Sequence, residues 1–462
     1  MPHSLEETQS IAAAHRALRT HLPAEQVHVS GPAYADSVAL WNGAVKHLPA
    51  VVLTCTSPED VALGVRTARE FGIPLSVRGR GHDYAGRALA DGGLTLDLRP
   101  MHDVRVDPGA RTAEVGGGAS ANDLLAAANE HDLVAATGTI GTVGVAGLTL
   151  GGGYGPLAGR VGLAADNLLS AELVTADGTV VRTDEHHDPD LLWALRGGGG
   201  NFGVVTSMTV RLHDGPTVVT GLVLYPWNQA RQVLGRVRDA QQDSPDSLTI
   251  QVAAVAAPDG SPALLVLPTW SGDVPTGTNP SGPVMALARL GDPLIAQLDA
   301  ARYADTIAGR DAMFPDGRHV TIRTRSVPEL GEDVIDIVDR FGGRLPTPMS
   351  GITLHHFHGA ATRPTPDDTA FVLRRPHLMT EIIGIWPAEE TGEHVRSWAD
   401  ATSAALAEHA FPGGYANLLG PEATDQIPHI YGDNLARLQR IKAAVDPEGV
   451  FSATPLPMTE PA

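Results

Sequence analysis

Apolar and polar positions alternate through the first half of the chain in a way that predicts short strands separated by helices. An apolar run at 51–53 is followed by Ser57, a preferred N-cap residue, and by Pro58, which favours the first turn of a helix. Apolar residues then recur on one helical face until Gly72, which is predicted to end the helix. The next apolar run, at 73–77, is predicted to be a strand.

The same kinds of pattern continue to the end of the chain and predict an α+β fold. Further strands are predicted at 94–98, 104–106, 112–115, 171–175, 179–181 and 204–212, and helices at about 120–131, 190–195 and 433–445. After residue 215 the strand patterns become longer, at 217–225, 248–256 and 264–270, which indicates a second lobe. The Pro/Gly/Ser-rich segment 272–283 is predicted to be a mobile loop.

The composition limits the classes of function. The 462 residues include 53 acidic and 33 basic ones, and the net charge of −20 argues against a surface for nucleic acid or an anionic membrane. One cysteine, Cys55, excludes an intrachain disulfide and a cysteine-cluster metal site. The adjacent His186 and His187 resemble a metal pair, but we interpret them as a solvated turn. The first residues lack the pattern of a secretory signal, and no apolar run is long enough to span a bilayer, so we expect a cytoplasmic protein.

Three glycine-rich segments, at 78–86, 138–155 and 197–203, are the strongest chemical signal. Glycine lets the backbone approach a ligand closely and point successive amide N–H groups at phosphate oxygens. One such segment is equally well explained as a tight loop through crowded core, but three in one lobe favour a large, phosphate-bearing ligand. The third segment matches G-x-G-x-x-G, but a helix precedes it and a strand follows, the reverse of the order in a doubly wound dinucleotide fold.

A histidine lies within the first of these segments. The turn Arg78-Gly79-Arg80-Gly81-His82 puts a nucleophilic imidazole beside the amides, which indicates a flavin tether; a structural histidine is the alternative. Together with Gly151-Gly152-Gly153-Tyr154-Gly155 and the segments 190–206 and 431–451, this turn resembles the berberine bridge enzyme-like, FAD-linked oxidases of the vanillyl-alcohol oxidase superfamily. The resemblance covers nearly the whole chain.

The resemblance implies a fold of two lobes and a covalently bound FAD. Residues 1–215 and 420–462 are expected to form a PCMH-type FAD-binding domain with a core at about 46–215, and residues 216–419 an α+β substrate domain in which helices cover an antiparallel sheet. In the family the equivalent of His82 is bonded to the 8α carbon of FAD. Many members add a bond to a cysteine, but Ile140 occupies that position and Cys55 lies far upstream. We therefore expect one covalent link, through His82, and no cysteinyl link.

Further cofactor contacts are implied for residues of the glycine-rich segments and of the C-terminal motif. They are Arg78, Gly79, Arg80, Gly81, Tyr84, Gly138, Thr142, Gly144, Gly147, Gly152, Gly153, Tyr154, Gly155, Asn201, Gly203, Val204, Val205, Tyr415 and Asn417. The motif commonly has a small residue where this chain has Arg80. Arg80 is expected either to add a charge contact to the cofactor or to face solvent.

Four positions are candidates for catalysis. Val143 aligns with the family position that controls access of oxygen to the flavin, where a small residue is typical of an oxidase; packing is the alternative. Tyr415, in the matching terminal motif, is a candidate base or a core hydrogen-bonding residue. His356 and His358 alternate along one predicted strand face, which we expect to lie above the flavin; otherwise they are satisfied strand residues.

Two departures from the family concern the same chemistry. Leu148 replaces a histidine that in some members stabilises the negative charge of reduced flavin, and Leu418 replaces a tyrosine that often serves as the base. Glu381 and Trp386, on the run 379–386, are further candidates to line the cavity.

These observations predict an FAD-dependent oxidase. We expect hydride transfer from a secondary metabolite, an alkaloid or a sugar-like alcohol to covalent FAD, with O2 as the acceptor and H2O2 as the product. A redox-neutral flavoprotein cyclase or a small-molecule binder on the same fold is the alternative. The expected partners are a small-molecule substrate and O2, in a monomer or homodimer, without nucleic acid, membrane or metal.

Overall fold

Strands arranged in three sheets form the framework of the protein. The computed structural model describes residues 5–452 and 454–457. The strands in that part of the chain are β1 (Val27–His28), β2 (Val51–Thr54), β3 (Leu75–Arg78), β4 (Leu94–Asp97), β5 (Val104–Asp107), β6 (Thr112–Gly116), β7 (Leu133–Ala135), β8 (Leu168–Val174), β9 (Val180–Thr183), β10 (Val204–Asp214), β11 (Thr217–Pro226), β12 (Leu248–Ala256), β13 (Pro262–Trp270), β14 (Ile295–Arg302), β15 (His319–Val327), β16 (Gly351–Phe357) and β17 (His377–Trp386).

Helices pack around these sheets. They are α1 (Leu5–His21), α2 (Pro32–Val38), α3 (Pro58–Phe71), α4 (Ala121–Asn129), α5 (Val145–Leu150), α6 (Ala158–Val161), α7 (Pro189–Leu195), α8 (Ala230–Gln242), α9 (Val274–Thr278), α10 (Pro283–Ala286), α11 (Tyr303–Ala308), α12 (Glu332–Gly342), α13 (Glu393–Ala407) and α14 (Leu435–Val445). Of the helices described, none is long and apolar enough to cross a membrane.

The first sheet has the order β1-β2-β4-β3, and β2 and β3 both run parallel to β4. Helix α3 makes the crossover between β2 and β3. As predicted, the Ser57 hydroxyl caps it by accepting the amide of Asp60 at 3.2 Å, and Gly72 ends it in the left-handed conformation, with φ 60°. The turn that contains His82 begins where β3 ends. It therefore lies at the carboxyl edge of the parallel strands, where ligands bind in open sheets of this kind.

The second sheet is antiparallel, with the order β5-β6-β10-β8-β9 and with β7 paired to β10. Helix α4 packs against β7 and is capped by Ser120, whose hydroxyl accepts the amide of Asp123 at 3.2 Å. The Asp123 carboxylate in turn accepts the Ser120 amide at 2.8 Å, so the predicted helix start is a complete capping box. The glycine-rich segment 138–155 follows β7 and runs beside this helix start.

The third sheet has seven antiparallel strands in the order β14-β11-β13-β12-β16-β17-β15. One face carries Val252, Leu354 and Ile382, which form a core with α8, α12 and α13. The opposite face carries Phe357 and Met379, which pack against Tyr154 and Tyr415 of the other lobe. The predicted α+β fold, with helices over an antiparallel sheet, is therefore confirmed.

The change of sheet falls between β10, which ends at Asp214, and β11, which begins at Thr217. The division of the chain at 215/216 and 419/420 stays a prediction. One element was predicted wrongly, because the segment 272–283 contains α9 and the start of α10 rather than only loop. Asp273 caps α9 by accepting the amide of Thr276 at 2.8 Å, and a proline follows, so the residues that suggested a loop begin a short helix.

Candidate active site

The turn after β3 has a row of unpaired backbone donors. No described residue accepts the amide N–H of Gly79, Arg80, Gly81, His82 or Asp83. Gly81 has φ +73°, a conformation that glycine adopts without strain. Buried or half-buried amides normally have a partner, so five consecutive free donors indicate a place for an anionic ligand.

His82 lies next to these amides with both ring nitrogens free of hydrogen bonds to the described residues. The indole of Trp41 stacks on its ring, with 5.7 Å between centroids and 19° between planes. Burial lowers the pKa of His82 to about 4, against the opposing charges of Asp316 and Asp311. The imidazole is therefore neutral at pH 7, with a nitrogen lone pair available.

The two arginines of the turn have different surroundings. The Arg78 guanidinium donates to the carbonyl oxygens of Asp36, Ser37 and Ala39, so it holds the turn against the end of α2. Arg80 forms an ion pair with Asp123, 2.5 Å between Nη2 and Oδ2, at the start of α4. The charge of Arg80 is thus paired within the protein. Its buried Nε has no hydrogen-bond partner.

The glycines of the segment 138–155 fall into two groups by the space around them. A Cβ on Gly155 would lie 1.8 Å from the carbonyl oxygen of Thr137, and one on Gly152 or Gly153 would meet Phe371 or Ala164 at less than 3 Å. These glycines allow close packing within the protein. A Cβ on Gly147, by contrast, has no atom within 4 Å.

The open group borders the His82 turn. A Cβ on Gly144 would lie 3.2 Å from the amide nitrogen of Arg80, so the two glycine-rich segments touch. Thr142 and Gly147 are exposed, and Val143 is half-buried between them. A Cβ on Gly138 would lie 3.4 Å from Leu148 and 3.7 Å from the carbonyl oxygen of Tyr154, which are ordinary contact distances. Exposed Thr142 and Gly147, half-buried Val143 and Gly144, and the free amides of the turn form a surface that a cofactor could cover.

The third glycine-rich segment is held by the C-terminal helix. Lys442 of α14 donates to the carbonyl of Asn201 at 2.8 Å, and the Asn201 side chain donates to the carbonyl of Gly198 at 3.1 Å. A Cβ on Gly203 would meet Leu173 and Val174 at 2.8 Å. Two further predicted contact residues, Val204 and Val205, direct their side chains into separate hydrophobic clusters. These two valines can therefore contact a cofactor only through their backbone atoms.

Tyr415 is the predicted catalytic residue with the clearest geometry. Its buried phenol oxygen accepts the amide of Gly153 at 3.0 Å and the side-chain amide of Asn417 at 2.9 Å. Asn417 also donates to the carbonyls of Gly147 and Leu148, each at 3.2 Å. Burial raises the pKa of Tyr415 to about 12, although both hydrogen bonds act in the opposite direction. The phenol is thus neutral at pH 7, and its own proton has no acceptor among the described residues.

Two other predicted tyrosines have protein partners. The Tyr84 hydroxyl donates to Glu422 at 3.2 Å, and Glu422 also pairs with Arg323 at 2.6 Å. The Tyr154 hydroxyl hydrogen-bonds with Nε2 of His377 at 2.7 Å. The Tyr154 ring contacts Tyr415, with 4.8 Å between centroids, and also packs on Phe357 and Phe371. Burial raises the pKa of both Tyr84 and Tyr154.

The expected position of His356 and His358 above the flavin is corrected by the register of the sheet. Their rings do stack, with 3.9 Å between centroids, so the two share one face. His356 pairs with Leu378 across the sheet, however, and so shares the face on which Leu354 and Leu378 pack against helices. Sequence alternation predicts that two residues share a face, but packing decides which face that is.

The face directed at Tyr415 carries a histidine that the sequence did not single out. His355 lies opposite Met379, one strand position from the predicted pair. Its Nδ1 is 2.6 Å from Nε2 of Gln251, and its Nε2 is 3.2 Å from a carboxylate oxygen of Glu381. The Glu381 side chain is 20% exposed, so a carboxylate faces the space beside the phenol. No local signal distinguishes His355 from His356, since both belong to the run 354–358.

These residues fit FAD. The five free amides of 79–83 suit a diphosphate, the open stretch 142–147 leaves room for a flat ring system, and the unbonded imidazole suits a covalent bond.

Comparison with known proteins identifies the family. The profile described as FAD binding domain matches residues 49–184, and the profile described as Berberine and berberine like matches residues 414–455. The FAD-linked oxidoreductase aurO of Gibberella zeae is 31% identical over 426 residues, which cover 91% of this chain and 83% of that protein. The chain belongs to the berberine bridge enzyme-like FAD-linked oxidoreductases.

Other berberine bridge enzyme-like and nicotine-oxidising relatives agree with that assignment. (R)-6-hydroxynicotine oxidase of Paenarthrobacter nicotinovorans is 43% identical over 182 residues, 39% of this chain and 40% of that protein. The crystal structure of 6-hydroxy-D-nicotine oxidase from Arthrobacter nicotinovorans superposes with a TM-score of 0.85 at 26% identity, over 93% of this chain and 96% of that chain. The predicted family and FAD cofactor are confirmed, and the protein is an FAD-linked oxidoreductase that acts on small molecules.

Proposed function

We propose that this berberine bridge enzyme-like protein is an oxidase whose FAD is bonded to the protein through His82 alone. The observation that supports this most directly is the neutral imidazole of His82, which has no hydrogen bond to the described residues and lies beside five free amides. A neutral imidazole has the lone pair that bond formation requires. The position at which many members have a second, cysteinyl link is Ile140, and Cys55 is fully buried in the core around α3, where burial raises the pKa of its thiol.

When bound, FAD supplies a two-electron acceptor for hydride. The protein groups beside it orient the substrate and handle its proton. Two N–H donors hold the Tyr415 oxygen, and its own O–H has no acceptor among the described residues, so it is available to donate to a substrate oxygen or nitrogen. Because Tyr415 is neutral at pH 7, we assign the acceptance of the substrate proton to the carboxylate of Glu381, an oxygen of which lies 3.2 Å from Nε2 of His355.

Oxygen is the proposed electron acceptor. Val143 lies half-buried between exposed Thr142 and half-buried Gly144, on the surface that the cofactor would cover. A valine leaves more space there than a leucine, so O2 can approach. Val143→Leu is expected to slow reoxidation by O2 without slowing anaerobic reduction by substrate, and stopped-flow absorbance separates the two steps.

The substrate is proposed to be a secondary metabolite, an alkaloid or a sugar-like alcohol. One relative is named for oxidation of a hydroxynicotine. The site offers both a phenol donor and a carboxylate, which suit a substrate with an acidic O–H or N–H next to the C–H bond to be oxidised.

The covalent link is tested by acid precipitation of the purified protein. Yellow colour should remain with the pellet of the wild type and leave it in His82→Ala, whereas His187→Ala, which changes an exposed histidine, should behave as wild type. A proteolytic flavin peptide should contain His82. A peptide with flavin on Cys55 would contradict the proposal.

The reaction is tested by oxygen uptake and peroxide release over a panel of alkaloids, alcohols and oligosaccharides. Equal amounts of O2 consumed and H2O2 formed are expected. A product isomeric with its substrate, formed without oxygen uptake, would instead support the redox-neutral cyclase.

A further inference from the structure

Trp41 is the aromatic residue that faces the proposed tether. Its indole lies nearly parallel to the imidazole of His82, 19° between planes and 5.7 Å between centroids. No described residue hydrogen-bonds either ring nitrogen of His82. The stacked indole is therefore the neighbour that restricts the plane of the imidazole.

Trp41 is itself anchored from both lobes. Its indole N–H donates to the carbonyl of Phe314 at 3.1 Å. Its amide donates to the carbonyl of Gly81 at 3.2 Å, and its carbonyl accepts the amide of Gly317 at 2.9 Å. The indole is thus fixed relative to the His82 turn on one side and to the loop before β15 on the other.

The next residue reinforces that anchor. Asn42 is 3% exposed, and its side-chain amide donates to the carbonyls of Tyr84 at 2.6 Å and Val320 at 3.0 Å. Its side-chain oxygen accepts the amides of Val320 at 2.9 Å and Ala44 at 3.0 Å. All four hydrogen-bonding capacities of this side chain are used, so the segment that carries the indole has little freedom to move.

We infer that Trp41 is a positioning residue for attachment of the cofactor: it holds the His82 imidazole in the plane from which the bond to FAD forms. The inference rests on the proposed tether. In the net step, an imidazole nitrogen bonds to the 8α methyl carbon of FAD, while the imidazole N–H and one methyl C–H break. The two hydrogens and two electrons pass to O2, which gives H2O2.

The inference predicts that Trp41 affects the rate of attachment more than the binding of FAD. The full chain is produced in flavin-starved cells and mixed with FAD in air. Flavin in the acid pellet measures the covalent product, and flavin retained on a desalting column measures total binding. Trp41→Leu is expected to slow attachment about tenfold to a hundredfold, as misplacement of a reacting group does, with total binding retained. Trp41→Phe, which keeps a flat ring, should stay within about threefold of wild type.

Trp398→Leu is the matched control. Trp398 is also partly buried and donates its indole N–H to a backbone carbonyl, that of Phe341 at 3.2 Å, but it packs against the core of the third sheet. It should attach FAD at the wild-type rate. The inference is wrong if Trp41→Leu attaches FAD as fast as wild type, or if Trp398→Leu is slowed equally. It is also wrong if Trp41→Phe is slowed as much as Trp41→Leu, a comparison that holds even if Trp41→Leu yields little soluble protein. Failure of the tether itself is distinguished by acid precipitation: the wild-type pellet would lack colour, or the pellet of His82→Ala would keep it.

Discussion

The phenol oxygen of Tyr415 accepts the backbone N–H of Gly153 at 3.0 Å. This contact joins the C-terminal motif to the second glycine-rich segment. Gly153 has φ +86°, a conformation that other residues rarely adopt, and a Cβ there would lie 2.5 Å from that of Ala164. The orientation of the catalytic candidate therefore depends on a glycine from a distant part of the chain.

Replacement of Tyr415 by Phe is expected to lower the rate of flavin reduction by substrate about a hundredfold. The ring and its packing remain, but the oxygen that two N–H donors hold in place is lost. Covalent FAD should be unchanged. Anaerobic stopped-flow measurement of flavin reduction is the test.

Tyr154→Phe is the control for that prediction. Tyr154 is equally buried and contacts the Tyr415 ring, but its hydroxyl bonds to His377. Loss of this hydroxyl should reduce the rate less than about tenfold. Equal losses in the two variants would mean that packing, rather than the Tyr415 oxygen, accounts for the effect.

Replacement by alanine should affect the stability of the fold very differently at two glycines of the segment 138–155. In Gly155→Ala the new methyl would lie 1.8 Å from the Thr137 carbonyl, so the fold should lose more than about 2 kcal/mol of stability. In Gly147→Ala the methyl meets no protein atom within 4 Å, so stability should change by less than about 0.5 kcal/mol.

FAD content gives a second measurement for the Gly147→Ala variant. Gly147 borders the surface where we place the flavin, so its alanine variant should fold normally and contain less FAD. Thermal unfolding and the ratio of flavin to protein absorbance measure the two quantities. Normal FAD content in Gly147→Ala would show that the flavin does not lie against this stretch.

The sequence predicted the elements that hold the site wherever the signal is local. Ser57, Gly72 and Ser120 are residue types whose backbone preference does not depend on distant contacts, and helices α3 and α4 begin or end at them. The free amides around His82 follow from a glycine-punctuated turn in the same way.

The remainder of the site depends on contacts between distant segments. Trp41 has no local signal that relates it to His82, because it is brought there by bonds to the loop before β15. His355, rather than His356, faces Tyr415 because the register between β16 and β17 and the helices on one face decide the orientation. Alternation in the sequence could not choose between these two faces.

A buried ion pair between the lobes should be costly to break. Arg374 binds both carboxylate oxygens of Asp166, at 2.6 and 3.0 Å, with side chains only 7% and 12% exposed. Arg374→Met leaves the carboxylate buried without its partner, so the free energy of unfolding should fall by about 3–5 kcal/mol.

The comparison for this ion pair is Arg363→Met, which removes the partner of Asp246 from a pair whose side chains are 65% and 44% exposed. It should cost less than about 1 kcal/mol. Denaturant unfolding of both variants gives the difference. The double variant Arg374→Met with Asp166→Asn should recover part of the loss, since no buried charge is then left without a counter-charge. No recovery would mean that the other contacts of Arg374, among them its hydrogen bonds to Phe371, Ala361 and Thr369, account for the loss.

Acid should destabilise the protein through its buried histidines, and His377 shows why. Its Nδ1 lies 2.7 Å from the carbonyl of Arg375 and so carries the proton, which leaves Nε2 to accept the Tyr154 hydroxyl. Burial lowers the pKa of His377 to about 4, below the ordinary 6.5 of the unfolded chain. Between pH 6.5 and 4 the unfolded state binds more protons than the folded state, so stability is full above about 6.5 and is lost as the pH falls.

The free energy of unfolding should fall by on the order of 2 kcal/mol between pH 7 and 4.5 because of His377. His377→Gln keeps a donor and an acceptor but does not titrate, so the decrease in unfolding temperature between these two pH values should be smaller than in wild type. His187→Gln changes a histidine whose side chain is 75% exposed and should leave the decrease as it is in wild type. A His377→Gln profile parallel to that of wild type would assign the acid sensitivity to other groups, of which His358, with a pKa lowered by burial to about 4, is the next to replace.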